Sequence, residues 1–302
     1  MGLDGFCRLY HDADNRAEPV SVAVAGGDDR TVLEAMRIAC DCGWIRPILV
    51  GPEPRIRSIA ESGEIDLNEF AIRHAEGEAI AAAAVAEVRA SRARALMKGQ
   101  IATPELMKAV LDHEKGLRTG RVICQVVLME IRRDRRRFLL ADTGICVQPS
   151  LDERIDILRS TIEVADALWA KPPRVALMAA TETIKPSMPE TVEAVEICER
   201  GRQGVFGDCV IEGPLSFDLA YAAEAGAKKQ VEGSVVGAAD IMLFPNLLSA
   251  NLTVKAIMYT ADCQFGGVLR GTAAPVVFMS RADTTETRLN SLALALRIID
   301  HG

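Results

Sequence analysis

Three observations predict a two-lobed α/β protein with mainly parallel sheets. Short apolar runs alternate with amphipathic helical patterns through most of the 302 residues, which is the signature of β–α units with right-handed crossovers. Apolar residues make up 49% of the chain but aromatics only 4%, as expected of buried parallel strands built from Ala, Val, Leu and Ile. The length exceeds that of a usual single domain, and the alternation restarts after Pro149, so two lobes are expected.

The first unit is the strand Ser21-Val22-Ala23-Val24-Ala25, stopped by Gly26-Gly27-Asp28-Asp29 and followed by a helix whose stripe is Val32, Leu33, Met36, Ala39 and Cys40. The Gly26-Gly27 turn lacks the G-x-G-x-x-G spacing and is read as a βα turn rather than a dinucleotide site. A strand over residues 47–51, a short helix over 56–60 and a long helix over 76–95 lead into the strand end Leu96-Met97-Lys98-Gly99. A helix over 104–111 and strands over 121–129 and 138–141 follow. Between those strands lie five Arg and one Asp, residues 132–137, read as a charged hairpin loop and not as an anion site. Beyond Pro149 the predicted order is helix 151–169, strand 174–179, helix 189–200, strand 205–210 and helix 216–225. Strand 239–244, helix 251–260, strand 275–279 and helix 285–299 complete it.

The net charge of −7 argues against a nucleic-acid surface, so any phosphate grip must be local. No apolar run reaches membrane-spanning length and the polar first twenty residues hold no signal-peptide core, so a cytoplasmic protein without membrane attachment is expected. The eight scattered cysteines form no Cys-x-x-Cys pair and are read as reduced thiols, with no metal site. P-loop, nucleophile-elbow and H-E-x-x-H patterns are absent, which removes the commonest NTPase, hydrolase and zinc-protease readings.

The segment Val276-Val277-Phe278-Met279-Ser280-Arg281-Ala282-Asp283 carries more information. A buried strand runs directly into hydroxyl, guanidinium and carboxylate groups at the head of the last helix, where backbone N–H groups favour an anion and Arg281 can grip phosphate. Ser280 can donate to a developing oxyanion or a thiolate. Plain N-capping by Asp283, Thr284 or Thr285 explains the same residues equally well. Other polar loops sit at predicted strand ends: Lys98-Gly99, the Arg118-Thr119 turn, Thr181 to Lys185, and the stretch holding Asn246, Ser249 and Asn251. Several such loops favour one shared cleft.

On the ordered series Leu96-Met97-Lys98-Gly99, Lys115-Gly116-Leu117-Arg118-Thr119-Gly120-Arg121, Lys185-Pro186 with Met188-Pro189, Glu212-Gly213-Pro214, Asp240 to Leu247 and Ser280-Arg281-Ala282-Asp283, the chain resembles the phosphate acyltransferases. It is similar to the butyryl branch in particular. The resemblance implies an isocitrate/isopropylmalate dehydrogenase-like fold of two α/β/α lobes with a cleft between them. The first lobe is then residues 1–148 plus 267–302 and the second 149–266, usually in a homodimer. It implies reversible transfer of a short acyl group between coenzyme A, as substrate, and inorganic phosphate, with no tightly bound cofactor. Arg281 matches the family arginine that holds phosphate, and Ser280 the serine that steadies the reacting groups. Arg118, Thr119, Lys98, Lys185, Asn246, Ser249 and Asn251 are the expected substrate-binding residues. The acetyl branch has an aspartate seven residues beyond the serine; here Thr287 stands there, and Asp283 is the expected base. Lys108 replaces an acetyl-branch arginine and lacks its planar fork. Two other readings stay open: a metal- and NAD(P)-dependent decarboxylating hydroxyacid dehydrogenase of the related fold, and a non-catalytic acyl-CoA or phosphate sensor.

Overall fold

A computed structural model describes residues 5–278 and 283–302. In chain order the elements are α1 (Gly5–Asp14), β1 (Val20–Ala25), α2 (Arg30–Asp41), β2 (Ile45–Gly51), α3 (Glu53–Ser62), β3 (Ala71–His74), α4 (Ala79–Arg89), β4 (Ala95–Lys98) and α5 (Thr103–Val110). There follow β5 (Cys124–Ile131), β6 (Arg136–Ala141), α6 (Leu151–Leu168), β7 (Arg174–Met178), α7 (Pro189–Arg202), β8 (Val210–Leu215), α8 (Phe217–Tyr221) and α9 (Ala223–Lys229). The chain ends with β9 (Ile241–Leu243), α10 (Leu247–Thr260), β10 (Cys263–Arg270), β11 (Val276–Val277) and α11 (Thr285–His301).

These elements form two compact units, Met1–Arg121 with Gln264–Gly302 and Val122–Cys263. The division differs from the expected change at residue 149. Strands β5 and β6 belong to the second unit because β6 pairs in parallel with β9, through Leu139 beside Ile241 and Ala141 beside Leu243.

In the first unit the strand order is β3-β2-β1-β4-β11-β10, parallel except for β10, which runs antiparallel to β11. Strand β1 is buried over most of its length and β4 over all of it, as their unbroken apolar runs require. Helix α11 packs on α1 and α2, and α4 on β1 and α5. The predicted α2 stripe of Val32, Leu33, Met36, Ala39 and Cys40 is its buried face, and Asp29 caps it by accepting from the Val32 N–H at 3.1 Å.

Three elements here escaped the pattern. Helix α1 lies in a segment whose polar composition masks a narrow stripe, with Gly5, Phe6, Leu9 and Ala13 buried. Strand β3 is four residues long at the sheet edge, and none of them is fully buried. Strand β10 contains Gly266-Gly267, which reads as a loop. The glycine is needed because a Cβ at Gly266 would sit 2.8 Å from the backbone N of Ser291 on α11. The Ser291 hydroxyl there accepts from the Gly267 N–H at 2.9 Å. The long helix expected over 76–95 is shorter, because β4 begins at Ala95.

In the second unit the order is β5-β6-β9-β7-β8, parallel except for the β5–β6 hairpin. The hairpin loop is the charged turn expected: Arg133 meets Asp134 at 3.1 Å and Arg132 meets Asp262 at 3.4 Å. Arg136 donates to the Tyr221 carbonyl at 3.0 Å and lies over that ring. Helix α6 starts with a capping box of Ser150 and Glu153. Strand β8 begins at Val210, where the pattern expected it to end, and the helix expected over 216–225 breaks into α8 and α9 at the extended Ala222.

Candidate active-site edges

In the first unit β1 lies between β2 and β4, and the chain runs from β1 to β2 on one side and later crosses from β3 past β1 to β4 on the other. The crevice beyond the carboxyl ends of such strands is where open α/β sheets hold ligands. Gly26, at φ +82°, ends β1; a Cβ there would meet Ile101 at 2.7 Å and the Gln100 backbone at 2.9 Å. Across from it a Cβ at Gly99 would lie 2.0 Å from the Gly26 carbonyl oxygen. The two glycines let the β1 and β4 ends close on each other, as a shaped rim requires. Lys98, the last residue of β4, is only 1% exposed, with its Nζ 3.4 Å from the Gly99 carbonyl.

The same edge carries the N-termini of α2 and α11. Ser280 and Arg281 lie outside the described residues; Asp283 is the first described residue after them and is half-buried. Of the three expected caps, Thr284 caps α11, accepting from the Thr287 N–H at 3.2 Å. The Thr287 side chain is buried with its hydroxyl 3.1 Å from that of Thr284, so the residue at the acetyl-branch aspartate position reinforces the cap. Asp29 lies at the α2 start and accepts from the Thr31 hydroxyl at 2.6 Å. Arg288, on the first turn of α11, is wholly buried. Burial pushes its guanidinium pKa down, while Asp29 and Asp283 act in the opposite direction.

Arg118 and Thr119 stand elsewhere in this unit. Arg118 bridges to Thr272, and the Thr119 hydroxyl donates to the Gly271 carbonyl at 2.8 Å. Arg118, Arg89 and Arg94 line a cavity of about 580 Å³ beside Ala93 and Ala274-Pro275. Those small residues precede β4 and β11, so this is the amino edge of the strands whose carboxyl edge holds Lys98 and Asp283.

The second unit gathers its expected residues at one edge. Strand β9 lies between β6 and β7, which makes the loops after all three neighbours. Asn246 caps α10 by accepting from the Ser249 N–H at 3.0 Å, and the Ser249 hydroxyl donates back to the Asn246 carbonyl. Asn251 donates to the Thr143 carbonyl, after β6, at 3.1 Å. The Lys185 side chain is exposed on the loop after β7, whose backbone is tied to the Thr191 hydroxyl on both its N–H and carbonyl sides.

Residues to which the sequence pattern gave no role organise these edges. Buried Asp142 accepts from the N–H groups of Gln125, Gly144, Ile145 and Cys146 at 2.8, 3.0, 3.3 and 2.6 Å. Burial first, then Asp142, pushes the Cys146 thiol up to about 12, so it is no nucleophile at neutral pH. Glu212 accepts from the N–H groups of Ser234 and Val235. Acidic residues closely followed by small or turn-forming ones are the only sequence hint of such loop anchors.

Residues 78–296 match the model of a family described as phosphate acetyl/butaryl transferase. The phosphate butyryltransferase of Clostridium acetobutylicum is 40% identical over 279 residues, covering 92% of this chain and 93% of that protein. The phosphate acetyltransferase of Thermotoga maritima is 34% identical over 93% of this chain and 95% of its own length. A solved branched-chain phosphotransacylase from Enterococcus faecalis V583 superposes with a TM-score of 0.83 at 30% identity, over 94% of this chain and all of that one. The order of the motifs, the mostly parallel strand pairing and matches spanning nearly the full length lead to one conclusion: the chain belongs to the phosphate acetyl/butyryl transferase family.

Proposed function

We propose that the protein transfers a short acyl group, butyryl foremost, reversibly between coenzyme A and inorganic phosphate. The observation that carries this reading is the relationship to the phosphate butyryltransferase over 92% of the chain. It is supported by the polar rim at the β1 and β4 carboxyl ends, which sets a buried lysine and two helix N-termini on one edge. Such an edge suits a phosphate group. In the proposed step the coenzyme A thiol loses its proton to a base, for which Asp283 is our candidate. The thiolate then attacks the acyl-phosphate carbonyl carbon, the carbonyl oxygen takes up negative charge, and collapse expels inorganic phosphate. Ser280 steadies the developing charge and Arg281 holds the phosphate. A free thiol is only a few per cent ionised at neutral pH, which is why a base matters.

Lys98 is proposed to act on the phosphate, and Lys185, Asn246, Ser249 and Asn251 on coenzyme A. Arg118 and Thr119 are proposed as contacts for substrate regions away from the reacting carbonyl. The isocitrate/isopropylmalate dehydrogenase-like fold and a cytoplasmic, homodimeric protein complete the proposal. An exposed apolar row on α10, Leu248, Leu252 and Tyr259, at 69%, 60% and 83% exposure, supports self-association. Among the described residues no helix is long and apolar enough to cross a membrane.

The test is phosphate-dependent thiol release from acetyl-, propionyl-, butyryl- and isobutyryl-CoA. Turnover that needs phosphate is expected, fastest with a four-carbon acyl group. Two methylenes contribute about 1.6 kcal/mol of burial, roughly a fifteenfold preference. No phosphate-dependent release with any of the four sinks the reading. Arg281→Ala is expected to raise the phosphate KM and lower kcat; wild-type values for both remove Arg281 from its role.

A further inference from the structure

The amino edge of the first unit holds a cavity of about 580 Å³ whose charged lining is Arg89, Arg94 and Arg118, with no carboxylate. The chain carries 42 Asp and Glu against 35 Lys and Arg, and many of its surface arginines stand against carboxylates. Arg30 meets Glu34 at 2.8 Å, Arg37 meets Asp41 at 2.6 Å, and Arg92, two residues before Arg94, meets Glu87 at 2.7 Å. The three cavity arginines do not. Arg89 donates through Nη1 to the carbonyls of Glu114 and Gly116 at 2.6 and 3.1 Å, and Arg118 Nη1 lies 3.3 Å from His113 Nε2. The Arg94 side chain has no hydrogen bond or ion pair among the described residues.

Local structure keeps these cations around open space. Arg89 is the last residue of α4, Arg94 stands just before β4, and Arg118 bridges to Thr272. Gly116 lets its turn close, since a Cβ there would lie 2.4 Å from the Asp112 carbonyl oxygen and 2.5 Å from that of Val110. Ala93, Ala273 and Ala274 fill little of the space, while buried Val88 and Leu117 supply an apolar wall. The C-termini of α4 and α5 reach this edge with about half a negative charge each, less than the three permanent guanidinium charges. Arg94 also borders a second cavity, where Asp300 meets Arg16, Asp12 meets Arg297 at 3.7 Å and Glu18 is exposed. Those carboxylates line the second cavity and not the first.

We propose that the arginine-lined cavity binds a phosphate ester with two or more negative charges, its phosphates on Arg89, Arg94 and Arg118 and its organic part against Val88 and Leu117. Guanidinium forks match phosphate oxygens, an anion among them relieves the repulsion between like charges, and the volume falls in the range of small-molecule sites. The site goes beyond the acyltransferase reading and lies at the opposite strand ends from Lys98. Arg94 leads into β4, which ends on Lys98, and Pro275 leads into β11; the Leu96 N–H joins the two by donating to the Pro275 carbonyl at 3.1 Å. An occupant therefore sits at the starts of two strands that run toward the phosphate edge. Two sources share this chemistry, the phosphates of coenzyme A and those of a separate phosphorylated compound, and kinetics distinguishes them.

Calorimetric titration of the full chain with inorganic pyrophosphate tests the site. Wild type is compared with Arg94→Ala, the Arg94→Ala/Arg118→Ala double variant and Lys98→Met, which alters the opposite edge. Arg94→Ala is expected to weaken the site about tenfold with an unchanged thermal midpoint, because its side chain holds nothing in place. The double variant should weaken it further, and Lys98→Met should keep it. No pyrophosphate binding by the wild type, wild-type affinity in Arg94→Ala, or a loss that follows Lys98→Met alone overturns the proposal. Where Arg94→Ala loses pyrophosphate, a coenzyme A KM raised about tenfold at constant kcat assigns the site to the phosphates of coenzyme A, and a KM that does not move assigns it to a separate phosphorylated compound. Absence of thiol release by the wild type overturns the acyltransferase reading, while an Arg94-dependent pyrophosphate site still stands on the calorimetry.

Discussion

Thr287 shows how one side chain can be legible as an absence and opaque as a structure. Its place in the sequence says that no carboxylate stands there; its buried hydroxyl beside the Thr284 cap shows what the position does instead. Thr287→Val keeps the volume and removes that hydroxyl, and is expected to cost about 1 kcal/mol, close to a lost hydrogen bond, measured by urea unfolding. An unchanged midpoint would mean that the Thr284–Thr287 contact adds nothing to the cap. Lys98 is a second residue-scale case. Its burial at the β4 end makes Lys98→Met a change of similar length that removes the charge and keeps the apolar stem. Turnover should fall by about tenfold or more if its charge stabilises a phosphate; wild-type turnover would remove it from the site.

The elements were most legible where one face of a strong pattern is buried. The α2 stripe and the apolar β1 and β4 runs appear as expected, while β10 was hidden by the glycines that α11 requires. Gly266→Ala should therefore destabilise by about 1–3 kcal/mol, the usual cost of overpacking, because its Cβ would press on the α11 backbone at Ser291. A full-stability variant by thermal or urea unfolding would show that α11 can move away. At the start of α10, Asn246→Ala should cost about 1 kcal/mol through the lost cap, while Asn246→Ser should keep the cap. A Ser variant with wild-type stability but a raised coenzyme A KM assigns Asn246 to substrate as well; an unchanged KM leaves it a cap alone.

At the scale of the whole molecule, charge is distributed so that acid should unfold it. Burial raises the Asp240 carboxyl, but its hydrogen bonds to Arg174 and Lys171 outweigh this and hold it below its ordinary value. Glu87, paired to Arg92, and Asp134, beside Tyr221 and Arg133 against its own burial, are lowered too. Groups depressed on folding contribute stability above the unfolded pKa of about 4 and lose it as the pH falls through their lower folded values. Arg174→Met should thus move the acid-unfolding midpoint, followed by circular dichroism, to higher pH; an unmoved midpoint would show that this pair contributes nothing to the acid limb. By itself the sequence determined the β–α alternation, the membership implied by its ordered motifs and the residue types of a phosphate edge, because periodicity, composition and short motifs are local properties. Only the tertiary structure decided that β5 and β6 join the second unit, that Arg118 sits at the opposite edge from Lys98 and that Arg288 is buried with no hydrogen-bond partner among the described residues. Strand pairing and burial depend on residues far apart in the chain, and no local pattern carries them.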